Sequence, residues 1–458
     1  MTKKSICVLL CLLLCLAVLC TACGVSPEQD VPEPVPAPVE PAPEPVPAEP
    51  EPEPEAEEPE FVWPAKMLRS DSVPFDHGRR SEWGAEAAAY PVLGSDLLRE
   101  QIRSVTFLNT LADVPESAWD VSGGADGSVL AWTAENGELY DLFIAAEGGV
   151  LSPENCSTLF AGYINLEQIT FDGCFQTQTA TDLSDLFLGC KKLTQVDVQT
   201  LDTSAARDLS GMFYECESLT ALDLSAMDTS SAEDLSTMFY NCKLLYSLDL
   251  SGFQTEAVQD LSMLFYGCQA MSELNISGLV TDNVTDFSGM FYKCYSLVTL
   301  DVSHLNTSAA VNMANMFYGC LELRDLNVST FDTAAAENMS GMFSCCYQLQ
   351  ALDLSSFNTA AVTDMSRMFA ASGSLAALDL SGFDTSHVTN MSGMFHECKS
   401  LRQLDISGFD TGAVEDVSNM FMECKAVVAK DLEHLDFSSV VSYDGFLTGY
   451  GWQYLFSK

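Results

Sequence analysis

LAALDLSGFDTSHVTNMSGMFHEC, residues 375–398, decides the reading of the chain, because its pattern recurs every 26 residues. Within it Leu378, Asp379 and Leu380 alternate apolar and polar, the period of a short strand with one buried face. A Ser381-Gly382 turn brings Phe383 back to the core. Asn390 then precedes Met391, Met394, Phe395 and Cys398, which are spaced i, i+3, i+4, i+7. That spacing predicts an amphipathic helix of two turns with Asn390 as its N-cap.

Working outward, Phe187, Phe213, Phe239, Phe265, Phe291, Phe317, Phe343, Phe369, Phe395 and Phe421 stand 26 residues apart without an insertion. Three residues after each comes a cysteine, broken once by Ser372. The expected cap position is Asp or Asn throughout, from Asp182 and Asp208 to Asn390 and Asp416. A slightly longer unit around Phe160 precedes these. One unit cannot bury enough apolar surface to offset the entropy of ordering it, so the units must stack into a quasi-one-dimensional array.

The remaining segments follow from composition. Residues 1–23 join Lys3 and Lys4 to an apolar run from Ile6 to Leu19, the pattern of a secretory signal peptide. The run ends in Thr21-Ala22-Cys23, similar to a bacterial lipobox with Cys20 where leucine is usual; lipid attachment at Cys23 is expected, an ordinary signal peptide being the alternative. Residues 24–65 read as a stalk, since residues 24–60 alone hold 13 of the 18 prolines and 12 acidic residues. Such chain cannot bury apolar surface and favours extended polyproline II. Residues 66–150 read as a β-rich N-terminal cap, with a hairpin turn at Glu135-Asn136-Gly137-Glu138. The repeats span 151–437. The pattern decays from Lys430, which replaces a core leucine, and residues 438–458 form a C-terminal cap in which Tyr450, Trp452 and Phe456 are placed to cover the last rung.

The units LDLSSFNTAAVTDMSRMFAASGSL and LDLSGFDTSHVTNMSGMFHECKSL, with WDVSGGADGSVLAWT ahead of the repeats, resemble the BspA-like leucine-rich-repeat surface proteins of bacteria. The resemblance covers roughly residues 100 to 440. It implies an α/β fold: a leucine-rich-repeat solenoid of strand–turn–short-helix repeats. It also implies a bacterial surface protein, with adhesion or protein binding attributed to some members; with the leader and Cys23, the expectation is an exported, lipid-anchored (alternatively secreted) cell-surface protein. It supplies no catalytic residue.

A formal net charge of −45 excludes the basic footprint that nucleic acid requires. The five histidines share no repeat position and pair with no nucleophile motif, so neither an enzyme nor a cofactor is expected. Two outward columns remain as the candidate ligand surface. The first is Asp197, Asp223, Asp249, Asp301, Asp353, Asp379 and Asp405, with Asn275, Asn327 and Asp431 in the same register. It reads either as an acidic strip for a basic partner or cations, or as a hydrogen-bonded Asx ladder that keeps an exposed sheet soluble. The second is Tyr214, Tyr240, Tyr266, Tyr292 and Tyr318, either an aromatic contact strip or padding between rungs. The cysteine column reads as buried free thiols, since identical side-chain directions suit disulfides poorly. Function is then adhesion or protein–protein binding by an extracellular protein ligand. The alternatives are a glycan-binding or nutrient-capturing surface lipoprotein and, more weakly, a structural envelope spacer. The membrane is touched only through the N-terminal lipid.

Overall fold

The computed structural model describes residues 66–70, 85–425, 432–448 and 452–456. The expected signal peptide, Cys23, the proline-rich stalk, and Lys430, Asp431 and Tyr450 lie outside them.

Strands β1 (Ile102–Leu108), β2 (Trp119–Asp120), β3 (Leu130–Asn136) and β4 (Leu139–Ala145) lie ahead of the repeats. The expected hairpin forms: β3 pairs antiparallel with β4 around Gly137, whose φ of 69° is the left-handed geometry a tight turn needs. Strand β1 pairs parallel with β4 on one side and with β6 (Gln168–Thr170) on the other. The β5 strand (Val150–Leu151) pairs parallel with β7 (Phe175–Gln176), and β8 (Gln195–Val196) continues the sheet from β6. The first repeat is thus joined to the preceding segment by backbone hydrogen bonds as well as by packing.

Along the repeats, β9 (Ser247–Asp249) pairs with β10 (Glu273–Asn275), β11 (Thr299–Leu300) with β12 (Asp325–Leu326), and β13 (Ala377–Asp379) with β14 (Gln403–Asp405). All three pairs are parallel and in the 26-residue register. The leucine-aspartate strands therefore form in part: β8 belongs to the larger sheet, six others form three separate pairs, and the rungs of Asp223 and Asp353 carry no strand.

The short helix expected in every rung does not form, so the α/β leucine-rich-repeat solenoid is the wrong fold class. Helix among the described residues is confined to single turns, such as 85–88, Arg99–Gln101 and Gln453–Phe456. From Met391 to Cys398 the amides alternate in partner. Met391, Gly393, Phe395 and Glu397 donate to the carbonyls of Asp416, Ser418, Met420 and Met422 on the next rung. Met394, His396 and Cys398 donate back three residues, closing tight turns. The cause is a left-handed residue two places before and two after each phenylalanine: Gly393 at φ 64° and Glu397 at 59°, Gly289 at 59° and Lys293 at 58°. A left-handed residue breaks the run of αR dihedrals a helix requires. The i, i+3, i+4, i+7 apolar spacing is met instead by consecutive turns, and half their N–H groups are free to pair between rungs.

These turns carry the continuous ladder of the stack. Parallel bridges run from Asn155 to Asp182 and on through each Asp or Asn of that column to Asp416 and Ser442. Each carboxylate or amide oxygen accepts the N–H two residues on, as Asp260 does from Ser262 at 2.7 Å. The core is a file of phenylalanines stacked at 5.3–5.8 Å from Phe187 to Phe421. At the far end Phe437, Phe446, Trp452 and Phe456 pack edge to face and tilted against one another, and Phe446 meets Phe421 at 5.5 Å.

Two further ladders lock the register. The buried Thr column donates Oγ1 hydrogen bonds across rungs, from Thr177 to Asp202 O through Thr385 to Asp410 O, at 2.7–3.0 Å. The cysteines are free thiols, and the Sγ atoms of Cys190, Cys216, Cys242, Cys268, Cys294, Cys320, Cys346 and Cys398 each reach the phenylalanine carbonyl of the preceding rung, as Cys268 does to Phe239 O at 3.1 Å. Ser372, the one break in that column, makes the same bond to Phe343 O at 2.6 Å. Burial pushes the thiols of Cys268 and Cys320 up to about 12, so they stay protonated and unreactive near neutral pH.

Candidate binding surface

The two outward columns lie on different faces and have different characters. The first column is exposed at each described position; Asp249, Asn275, Asp379 and Asp405 lie on strands, and the others occupy the same register outside them. In each rung one carboxylate oxygen is engaged in an Asx turn: Asp197 accepts the Gln199 amide at 3.0 Å, and Asp223, Asp249, Asp301, Asp353, Asp379 and Asp405 accept the serine amide two residues on at 2.9–3.1 Å. The serine hydroxyl adds a second bond at Asp301, Asp353, Asp379 and Asp405. These bonds hold the carboxyls of Asp223, Asp249, Asp301, Asp353 and Asp405 below their ordinary value, so all five stay charged near neutral pH. The second oxygen of each carboxylate lies outside the turn. The Asx ladder and the acidic strip are therefore the same feature.

Over the first rungs this strip lines a groove of about 1030 Å³. Its acidic members are Asp172, Asp197, Asp223, Asp249 and Glu273, its apolar floor includes Leu222, Leu248 and Leu274, and none of its lining residues is Lys or Arg. Among the described residues no group of three or more His, Cys, Asp or Glu side chains is arranged to hold a metal ion.

The tyrosines form an almost ideal stack, with ring centroids 4.3, 4.4, 4.3 and 4.5 Å apart and interplanar angles of 8° or less. Their faces are spent on one another. Tyr214 is buried, the other four are half-buried, and burial raises the phenol of Tyr266 to about 12. One end of the stack is sealed, since Tyr214 packs with Leu188, Ala161 and Ala87. At the other end Tyr318 has a stacked ring on one side only, and the next rung offers Ser344. A row of open aromatic faces is therefore absent from this column; outward it presents ring edges and one terminal face.

A third acidic column escaped the reading of the sequence as anything but caps. Five consecutive rungs place half-buried aspartates against one another: Asp182, Asp208, Asp234, Asp260 and Asp286. Amides close the run at both ends, Asn155 donating to Asp182 at 2.8 Å and Asn312 to Asp286 at 3.0 Å. Burial pushes the carboxyls of Asp208 and Asp260 above their ordinary value, and the adjacent aspartates add to the rise. A carboxyl raised in this way contributes stability that is complete below its unfolded value of 3.8 and is lost as pH rises through the folded value. Asp234→Asn keeps the turn acceptor and supplies a donor to a neighbouring carboxylate, as Asn312 does. We expect it to stabilise the fold at pH 7 by roughly 0.2–1 kcal/mol, the usual size of a cross-strand charge effect. The gain should shrink as the pH is lowered toward 4; thermal melts of both proteins at the two pH values measure it, and an equal or larger gain in acid would contradict the repulsion.

The family model described as "Mycoplasma protein of unknown function, DUF285" matches residues 154–277, 259–377 and 338–450, so overlapping copies cover nearly all of the repeat array and well over half the chain. No curated protein matches the chain. The match is to a repeat surface-protein family related to the BspA-like proteins and does not carry the finer leucine-rich-repeat assignment, which the helix-free rungs also oppose. The chain belongs to this family of repeat surface proteins of unknown function.

Proposed function

We propose that this chain is an exported, lipid-anchored binding protein, without enzymatic chemistry, that holds a basic extended segment of another extracellular protein in the acidic groove. The carrying observation is the groove itself: five carboxylates and no cation line it, above an apolar floor. A lysine- or arginine-bearing strand would meet charge along the rim and bury its alternate apolar side chains on Leu222 and Leu274. The charge also speeds encounter with such a partner, within the screening length of the medium. Export and anchoring rest on Lys3, Lys4, the apolar run and Cys23. If Cys23 carries lipid, radiolabelled palmitate will label the chain in cells and Cys23→Ala will abolish the label; unchanged labelling removes the anchor from the account.

A short peptide alternating lysine and valine serves as the probe. Asp197→Asn, Asp223→Asn and Asp249→Asn combined keep every Asx turn and should weaken its binding by about tenfold or more, as loss of several complementary charges does. Asp202→Asn, Asp384→Asn and Asp410→Asn combined change net charge equally and alter exposed turns outside the groove. That variant should bind almost as the native protein does. Equal losses in the two would mean that net charge alone attracts the peptide, and would overturn the groove.

A further inference from the structure

We propose that the cleft at the open end of the tyrosine stack is a subsite for one ring of an acidic glycan, a pyranose seated on the free face of Tyr318 with its carboxylate held by Arg367. This goes beyond the groove and does not depend on it.

The stack stops abruptly. Five rungs carry rings at 4.3–4.5 Å spacing; the next two carry Ser344 and Ala370 at the same position. Beyond Tyr318 lies a cleft of about 670 Å³ lined by Tyr318, Tyr347, Arg367 and His396, among others, with Ser344 and Ala370 buried at its floor. The space continues a column whose period already suits a flat ring.

The lining selects the kind of ring. Ser418, Asn419 and His396 add hydroxyl, amide and imidazole groups around the cleft. A phenyl ring would leave such groups unmet, which costs free energy, whereas a sugar offers hydroxyls to pair with them and C–H bonds for the phenol face. Charge narrows it further. Arg367 is exposed in a chain of net charge −45, with its stem packed over Gly393 and its charge acting on Tyr318. Of the cleft's two carboxylates, Glu397 pairs with Lys399 at 2.8 Å and Asp416 accepts the Ser418 amide at 2.8 Å, and no carboxylate among the described residues forms an ion pair with Arg367. A guanidinium so placed binds a carboxylate in bidentate fashion.

The test uses the full chain with three probes: an oligogalacturonate, the same oligosaccharide as its methyl ester, and a tyrosine-rich peptide, each followed by calorimetry and by the NMR signals of Tyr318. The oligogalacturonate should bind and shift Tyr318, and the ester should bind about tenfold more weakly, the scale of one charge-assisted contact. Arg367→Gln should remove the difference between acid and ester. Ser344→Tyr adds a sixth ring to the stack and should block both; Tyr318→Leu should do the same by removing the face, should the sixth ring disturb folding. Equal binding of acid and ester, no binding, unchanged binding to the variants, or displacement of the sugar by the tyrosine peptide would each overturn the proposal.

Discussion

Phe291→Ala is expected to destabilise the chain by about 3–5 kcal/mol, the range for truncating a fully buried phenylalanine. Phe291 is entirely buried and stacks on Phe265 at 5.6 Å and on Phe317 at 5.5 Å, so one substitution opens a void in two rung interfaces at once. Rungs fixed above and below by the backbone ladders and by the threonine and cysteine side chains have little room to close it. Because a repeat array is stabilised by nearest-neighbour interfaces, the lesion should also weaken the coupling between the two halves. Denaturant unfolding should then move to lower midpoint and broaden or split. A sharp transition with a midpoint close to the native one would mean that the phenylalanine file does not bind the rungs together.

Thr255→Val should cost about 2 kcal/mol although the two side chains have the same shape. The Thr255 hydroxyl donates to Val280 O at 2.8 Å and accepts from Val280 N–H at 2.7 Å, so valine strips partners from two backbone groups of the next rung. An unmet buried polar group costs about 1–3 kcal/mol, and the half-buried setting of Val280 trims the sum. Thr255→Ser keeps the oxygen and loses only a methyl, which should cost roughly 1 kcal/mol. Equilibrium unfolding of the pair separates bonding from packing: if serine hurts as much as valine, the threonine ladder is a packing column only.

Much of this architecture is legible in the residues. The invariant spacing of phenylalanine and cysteine announces stacked rungs and an identical environment for each cysteine, which is why free buried thiols followed from geometry. Asn136-Gly137 announces the hairpin. The helix did not follow, because the apolar spacing of Met391, Met394, Phe395 and Cys398 fits two helical turns and two tight turns equally well. The deciding signal was elsewhere: glycines recur two residues before the phenylalanine (Gly211, Gly289, Gly341, Gly393) or two after it (Gly189, Gly267, Gly319), with asparagine at Asn241, Asn315 and Asn419. Those are the residues that tolerate the left-handed region. The threonine column is equally periodic, yet its role depends on a partner 25 residues away, which no local pattern displays. The outward aspartates and tyrosines could be named from alternation and spacing. That the tyrosines would consume their own faces depends on ring orientation, which the sequence does not encode locally.

Rungs built from turns and cross-rung hydrogen bonds rather than helices set both the groove and the tyrosine stack. Backbone NMR of Met391–Cys398 in the full chain tests this architecture most directly. We expect left-handed carbon shifts at Gly393 and Glu397, and amide contacts from Phe395 to Met420 on the neighbouring rung. Continuous helical shifts from Met391 to Cys398, with amide contacts confined to the same rung, would contradict it.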